Sequence, residues 1–119
     1  MEEKVLDLED VLERVQDDHE LLLELFDIFE NDYLDKREQL NHLVKGNKLG
    51  EIRDVAHSMK GAAGNISAKA LFSSCAKIEQ LAEKKDLPGI KPILPVLDKQ
   101  FADLQAYIID YKKNFKKHG

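Results

Sequence analysis

The apolar residues of this chain recur every three or four positions over most of its length, which is the spacing of amphipathic helices. No segment alternates apolar and polar residues with a period of two, so no β-strand is predicted. Breaks in the pattern divide the chain into five predicted helices. These cover about 8–15, 17 or 18 to 45, about 49 to between 64 and 67, about 68–85, and 91 or 92 to the C-terminus.

Capping residues mark several of these boundaries. Asp17, with Glu20 three residues later, resembles a capping box at the start of the second helix. Asn65 or Ser67 is available to cap the fourth helix. The segment 86–89 reads as a turn, and the two prolines that follow it place the start of the last helix, because proline is tolerated only in the first turn.

Four main helices joined by short loops predict an all-α protein, an antiparallel up-and-down four-helix bundle with a short additional N-terminal helix over one end. The 119 residues form one predicted domain, long enough to bury a continuous core without disulfides or metal. The single cysteine, Cys75, cannot form an internal disulfide. It lies on an apolar helix face, which predicts an inert core thiol.

The net charge of −5 argues against a general attraction to nucleic acid or to an anionic membrane. The first ten residues, MEEKVLDLED, carry acid where a signal peptide needs base, and no apolar run is long enough to span a bilayer. We therefore expect a cytoplasmic chain without membrane insertion. It is either free-standing or the cytoplasmic portion of a larger membrane-anchored protein.

The third predicted helix carries the segment AHSMKGAAGNI, residues 56–66. Residues three and four apart are neighbours on a helix, so His57, Lys60, Gly61 and Gly64 form one stripe, about 100° around from the apolar face. Glycine inside a helix costs roughly 1 kcal/mol relative to alanine. Two glycines beside an exposed histidine therefore indicate a surface that something approaches closely. The predicted core face consists of Ile52, Val55, Ala56, Met59, Ala62 or Ala63, and Ile66.

This arrangement suits phosphoryl chemistry. A neutral imidazole has a free nitrogen lone pair that can attack phosphorus, and Lys60, one turn beyond His57, can offset the charge of a phosphoryl group. The chain has no Walker phosphate loop, no G-x-G-x-x-G segment and no kinase signature set. Near His57 in sequence there is also no second histidine or acidic cluster that would hold magnesium. Nucleotide, metal or both would come from elsewhere.

The segment HSMKGAAGNI resembles the signature of the histidine-containing phosphotransfer (HPt) domains of bacterial phosphorelays, which is H-x-[LIM]-K-G followed by small residues. The resemblance extends over essentially the whole chain, because helix order, helix lengths and the mid-chain position of the motif fit that family's bundle. It implies that His57 accepts a phosphoryl group from the aspartyl phosphate of a receiver domain and passes it to the aspartate of another receiver. It also implies that Lys60 supports the phosphate and that Gly61 and Gly64 keep the docking surface open.

Arg53 and Ser58, which flank His57, are further candidates for that docking surface. The resemblance implies response-regulator receiver domains or a hybrid sensor histidine kinase as partners, and a monomeric carrier without kinase activity of its own. It implies no cofactor on this chain, with Mg²⁺ on the partner receiver. Two positions depart from the pattern. Ser67 stands where the family often has glycine, and we expect it to alter capping more than chemistry; a carboxylate at Glu79 would repel phosphate unless it points away.

Two other function classes stay open. In the first, the bundle only docks onto a signalling partner and His57 is never phosphorylated. The second is a metal-binding bundle, of the kind in which two Glu-x-x-His pairs and further glutamates bind di-iron. The one carboxylate-x-x-His pair of this chain, Asp54 and His57, faces outward with Lys60 beside it, so no metal ligand is assigned.

Overall fold

The described part of the chain contains four long helices that pack side by side as a bundle. The computed structural model describes residues 4–118, with side chains described up to residue 115. In this part of the chain lie α1 (Leu8–Arg14), α2 (His19–Lys45), α3 (Leu49–Asn65), α4 (Lys69–Glu83), α5 (Leu87–Ile90) and α6 (Ile93–His118). Packing runs from α2 to α3, from α3 to α4 and from α4 to α6, and α6 returns to α2. The predicted all-α bundle with a short N-terminal helix is confirmed.

The interior of the bundle is filled with aliphatic and aromatic side chains from all four long helices. Cys75 is 1% exposed, and burial raises the pKa of its thiol to about 12, so the reactive thiolate is scarce at neutral pH. Within the four long helices, the largest fully buried side chains are Leu22, Phe26 and Leu40 of α2, Ile52 of α3, Leu71 and Ile78 of α4, and Leu97, Leu104 and Ile108 of α6.

The start of α2 differs from the predicted capping box. Its cap is Asp18, whose Oδ1 accepts a hydrogen bond from the N–H of Leu21 at 3.0 Å. Asp17 has a left-handed φ of 60° and belongs to the turn that connects α1 with α2. The prediction of Asp17 as the capping residue, with Glu20 as its partner, is therefore wrong. The tight turn after α1 brings the next aspartate to the helix end.

The cap predicted for α4 is also wrong, because Ala68 occupies the cap position without a side-chain hydrogen bond. Ser67 is 1% exposed and has a φ of 59°, a left-handed conformation in which glycine has no steric cost. Its hydroxyl donates to Asp10 Oδ2 at 2.5 Å, and its carbonyl accepts from the N–H of Asp7 at 2.9 Å. The hydrogen bond from Ser67 holds the pKa of the Asp10 carboxyl below its usual value. Ser67 therefore ties α1 to the α3–α4 loop.

The predicted turn before the last helix contains one helical turn, α5. Asp86 caps it, with Oδ1 accepting from the N–H of Gly89 at 2.9 Å, and Pro88 stands in its first turn. The last helix then begins at Ile93, close to the predicted start. No helix of the described part of the chain is both long and apolar enough to cross a membrane.

Candidate functional site

His57 lies on the outer surface of α3. On the inner face of this helix Ala56 and Ala63 are each 1% exposed, while Ala62 is half-buried, which decides between the two alanines that the sequence left open. The His57 side chain is 67% exposed, although its chain neighbour Ala56 is buried. Because each residue turns the helix by about 100°, the apolar stripe that anchors α3 in the core also directs His57 outward.

Glu79 of α4 bridges the side chains of His57 and Lys60 of α3. Its Oε2 lies 2.7 Å from Nδ1 of His57, and its Oε1 accepts a hydrogen bond from Nζ of Lys60 at 2.6 Å. The Glu79 side chain is 14% exposed and that of Lys60 is 26% exposed, so both lie under the more exposed imidazole. The carboxylate therefore points toward His57, and the possibility that it points away is ruled out.

The charge of this carboxylate decides the state of the histidine ring. The hydrogen bond from Lys60, followed by that from His57, holds the pKa of Glu79 below its usual value, so Glu79 is ionised at neutral pH. An ionised carboxylate is only an acceptor, so Nδ1 must be the donor in the contact with His57. In a neutral ring the lone pair is then on Nε2.

Lys60 has capacity left for a second partner. An ammonium group carries three N–H donors, and the bond to Glu79 uses one of them. The side chain is partly exposed and one helical turn from His57. Lys60 therefore neutralises the carboxylate beneath the histidine and still offers donors to an incoming anion.

The two glycines of the motif have different surroundings. A Cβ added at Gly61 would have no neighbour within 4 Å, so the bundle itself does not require glycine there. A Cβ at Gly64 would lie 3.3 Å from Cδ2 of Phe72, a close contact between α3 and α4 within this chain. Gly64 is accordingly half-buried, whereas Gly61 is exposed. The open surface beside His57 is therefore that of Gly61, and Gly64 accommodates the Phe72 ring.

Ser58 and Arg53, the other predicted docking residues, both lie at the surface. The hydroxyl of Ser58 accepts a hydrogen bond from Nζ of Lys36 at 2.5 Å, and Arg53 is 49% exposed with Nη2 at 3.1 Å from Oδ1 of Asp54. Lys36 of α2 was not predicted as part of this surface. Lys36 is hard to assign to this surface from the sequence, because it forms an ordinary helical ion pair with Asp32, four residues earlier. Its position beside Ser58 depends on the register of α2 against α3, which only the tertiary structure sets.

An apolar stripe also lies on the surface of α2. Ile28 is eight residues before Lys36 and is 64% exposed; Leu25 is half-buried, and Leu21 is 39% exposed. Residues at these three- and four-residue intervals share one helix face. Among residues 4–118, no three His, Cys, Asp or Glu side chains lie close enough together to hold a metal ion.

The comparisons with known proteins agree with this geometry. The family model of the Hpt domain matches residues 24–107, a segment that contains His57, Lys60 and Glu79. The chain belongs to the Hpt domain family. Its function is therefore that of a histidine-phosphotransfer intermediate in a phosphorelay, a carrier of phosphoryl groups and not a kinase.

Two solved structures share the fold of this Hpt domain. Histidine-containing phosphotransfer protein B (HptB) from Pseudomonas aeruginosa PAO1 superposes with a TM-score of 0.80 at 23% identity, over 92% of this chain and 96% of that protein. Histidine-containing phosphotransfer protein MtHPt2 from Medicago truncatula superposes with a TM-score of 0.80 at 20% identity, over 97% of this chain and 84% of that protein. A comparison with curated proteins gives no match.

Proposed function

We propose that His57 is the phosphoacceptor of this Hpt domain and that its Nε2 is the attacking atom. The observation that carries this proposal is the contact of Nδ1 with the Glu79 carboxylate on a ring that is 67% exposed. A carboxylate that holds the proton on one ring nitrogen keeps the lone pair on the other and orients the ring. The nucleophile and its orienting group are thus both in place before any partner binds.

The phosphoryl donor is an aspartyl phosphate on a receiver domain, and the acceptor is the aspartate of another receiver. The partner supplies the remainder of the reaction centre, including Mg²⁺, and this chain neither binds ATP nor phosphorylates itself. Lys60 supports the transferred group, because its ammonium lies one turn from His57 and keeps donors beyond the one used by Glu79. The domain is half of an active site that the receiver completes.

The receiver docks on the surface around Gly61. Support comes from the open space at Gly61, from the exposed side chains of Ser58 and Arg53 near it, and from the exposed ring of Phe72 over Gly64. A small-residue surface with apolar margins lets another protein approach the imidazole closely. Receiver domains of response regulators or of a hybrid sensor kinase are the partners, the domain acts as a monomer, and such partners imply a cytoplasmic location.

The substitution His57→Gln tests the assignment. A receiver domain phosphorylated with acetyl phosphate is mixed with the protein, and the acid-labile, base-stable phosphoryl group that the protein acquires is measured. We expect the variant to acquire none and to retain the helical circular dichroism of the wild type, because His57 is exposed and is not part of the core.

His42→Gln is the matched control, because His42 is an exposed histidine near the end of α2. It should acquire the label at the wild-type rate. Full labelling of His57→Gln would show that His57 is not the phosphoacceptor. A wild-type protein that binds the receiver without ever becoming labelled would instead support the docking-module alternative.

A further inference from the structure

The bond between His57 and Glu79 has a consequence for the phosphorylated state, which rests on the proposed function of His57. Glu79 accepts at 2.7 Å from Nδ1, the ring nitrogen that does not react, and Lys60 holds the same carboxylate in place from its other oxygen at 2.6 Å. The carboxylate therefore stays beside Nδ1 while chemistry takes place at Nε2. Whether Nδ1 keeps its proton then decides the charge of the phosphorylated ring.

The forward step needs no proton transfer. The Nε2 lone pair attacks phosphorus, the N–P bond forms, and the P–O bond to the receiver's aspartate breaks, with the electron pair leaving on the carboxylate. The Nδ1 hydrogen stays where it is, so the phosphorylated imidazole ring is cationic. A cation produced beside an ionised, poorly exposed carboxylate is stabilised by it.

The return step depends on that same hydrogen. If Nδ1 is protonated, a carboxylate oxygen of the acceptor aspartate attacks phosphorus and forms the new P–O bond, the N–P bond breaks with its electron pair returning to Nε2, and a neutral imidazole leaves. If Nδ1 has lost its proton, the leaving group is an imidazolate anion, which is far more basic and leaves far more slowly. We propose that Glu79 keeps Nδ1 protonated throughout the lifetime of phosphohistidine 57, and thereby keeps the phosphoryl group transferable at neutral and mildly alkaline pH.

The other charges around the ring are mostly paired with one another. On α3 itself Arg53 contacts its neighbour Asp54 at 3.1 Å, and on α2 Lys36 contacts Asp32 at 3.0 Å. Glu83, one turn beyond Glu79 on α4, is an exposed acid. Lys60 opposes the cationic ring, but a phosphoryl group on Nε2 attracts its remaining donors.

Among the described side chains, Glu79 is the one that hydrogen-bonds to the His57 ring. Its charge is therefore the dominant influence on the Nδ1 proton. Glutamine at this position keeps an oxygen that accepts from Nδ1 but removes the charge that stabilises the cation. The substitution Glu79→Gln thus separates the electrostatic effect of the carboxylate from its role in orienting the ring.

The protonation of Nδ1 is measured directly by nitrogen-15 NMR. Protein with ¹⁵N-labelled histidines is phosphorylated with phosphoramidate, and the Nδ1 shift of phosphohistidine 57 is followed from mildly acidic to alkaline pH. We expect the midpoint for loss of the Nδ1 proton to be lower in Glu79→Gln by about one pH unit, the effect of losing one charge-assisted hydrogen bond. Above both midpoints, phosphoryl transfer from the variant to a receiver should be roughly tenfold slower than from the wild type, the ratio set by a difference of one pH unit.

Glu83→Gln is the matched control, since it makes the same change of charge one turn away on the same helix. It should leave both the Nδ1 titration and the transfer profile at their wild-type positions. Glu79→Asp, which keeps the charge, should recover part of the shift. An effect on ring orientation alone would slow transfer equally at every pH.

The result that overturns this inference is a Glu79→Gln titration that coincides with that of the wild type. A wild-type midpoint equal to that of phosphohistidine in a short unstructured peptide overturns it as well, without any variant. Failure of phosphoramidate to label His57 in the folded wild type is a different result. It would contradict the proposed phosphoacceptor itself.

Discussion

The His57 ring is held by a side chain 22 positions further along the chain, and the proposed reactivity of His57 follows from this contact. A solvated imidazole exchanges its proton between two nitrogens, whereas a carboxylate at 2.7 Å from Nδ1 fixes one tautomer and turns the opposite nitrogen outward. Lys60 offsets the charge of this carboxylate, because its Nζ lies 2.6 Å from Oε1 of Glu79; on the proposed function this makes Glu79 compatible with a phosphoryl group on His57. Three side chains from two helices therefore act as one unit, and the removal of any of them changes the other two.

Lys60→Ala should slow acquisition of the phosphoryl group by roughly tenfold, since losing a charge-assisted contact costs about 1.5 kcal/mol. Both consequences of the change act in this direction: the phosphate loses a cation, and Glu79 loses the group that offsets its charge. The rate of labelling by a phosphorylated receiver is the measurement. Lys77→Ala, at an exposed lysine of α4, is the control and should behave as the wild type. Labelling of Lys60→Ala at the wild-type rate across ionic strengths would show that Lys60 is an ordinary surface residue.

At the level of elements, α3 carries the site and α4 completes it. The two helices run antiparallel, so that His57 lies opposite Glu79 and Gly64 opposite Phe72. The apolar face of α3 secures the helix in the core and leaves the opposite face for function. Because Gly61 and Gly64 lie on this outer side in different surroundings, equal substitutions at the two glycines have unequal effects.

Gly61→Ala should stabilise the domain by about 0.5–1 kcal/mol, because the new methyl group meets nothing and alanine favours the helix. Gly64→Ala should gain less or nothing, since its Cβ would lie 3.3 Å from the Phe72 ring, which must shift. Urea unfolding followed by circular dichroism measures both changes. Equal stabilisation by the two substitutions would show that Phe72 yields without cost.

A bulky residue at Gly61 tests the docking surface separately. Gly61→Leu should leave the bundle folded and weaken binding of the receiver, as measured by calorimetry, because the side chain would stand in the approach to His57. Binding of unchanged affinity would mean that the receiver does not approach over Gly61.

For the whole molecule, α6 contributes to stability without contributing a residue to the candidate site. The bundle is closed by α6, which packs against α4 and α2. It also makes two ion pairs with α2, Arg37–Asp98 and Asp27–Lys112. Exposed pairs of this kind contribute about 0–1 kcal/mol each. The larger contribution of α6 is the apolar seam buried against its neighbours, and none of the site residues lies on this helix.

Leu97→Ala should lower the free energy of unfolding by about 2–5 kcal/mol, because the side chain is fully buried and its removal leaves a cavity. Val96→Ala, at the neighbouring residue that is 46% exposed, should change it by less than about 0.5 kcal/mol. Labelling of His57 by phosphoramidate at a temperature where both variants are folded should match the wild type. A loss of labelling in folded Leu97→Ala would mean that α6 helps to shape the site.

Periodicity alone determined most of the fold. The amphipathic spacing located the four long helices, and the buried stripe of α3 established that His57 faces outward, since both follow from the 3.6-residue turn of a helix. The ends were less predictable. Asp17 and Ser67 are suitable capping residues by type, but both have left-handed backbone in turns whose shape depends on packing. Local preference therefore failed at these two positions.

The sequence by itself predicted His57 as the nucleophile with Lys60 beside it, because both lie on one helix at fixed spacing. It did not determine the role of Glu79. A carboxylate on another helix either repels the phosphoryl group or orients the histidine, depending on the register and orientation of α4 against α3. Burial of the apolar faces of these two helices sets that register, so the core decides which acid lies beneath His57.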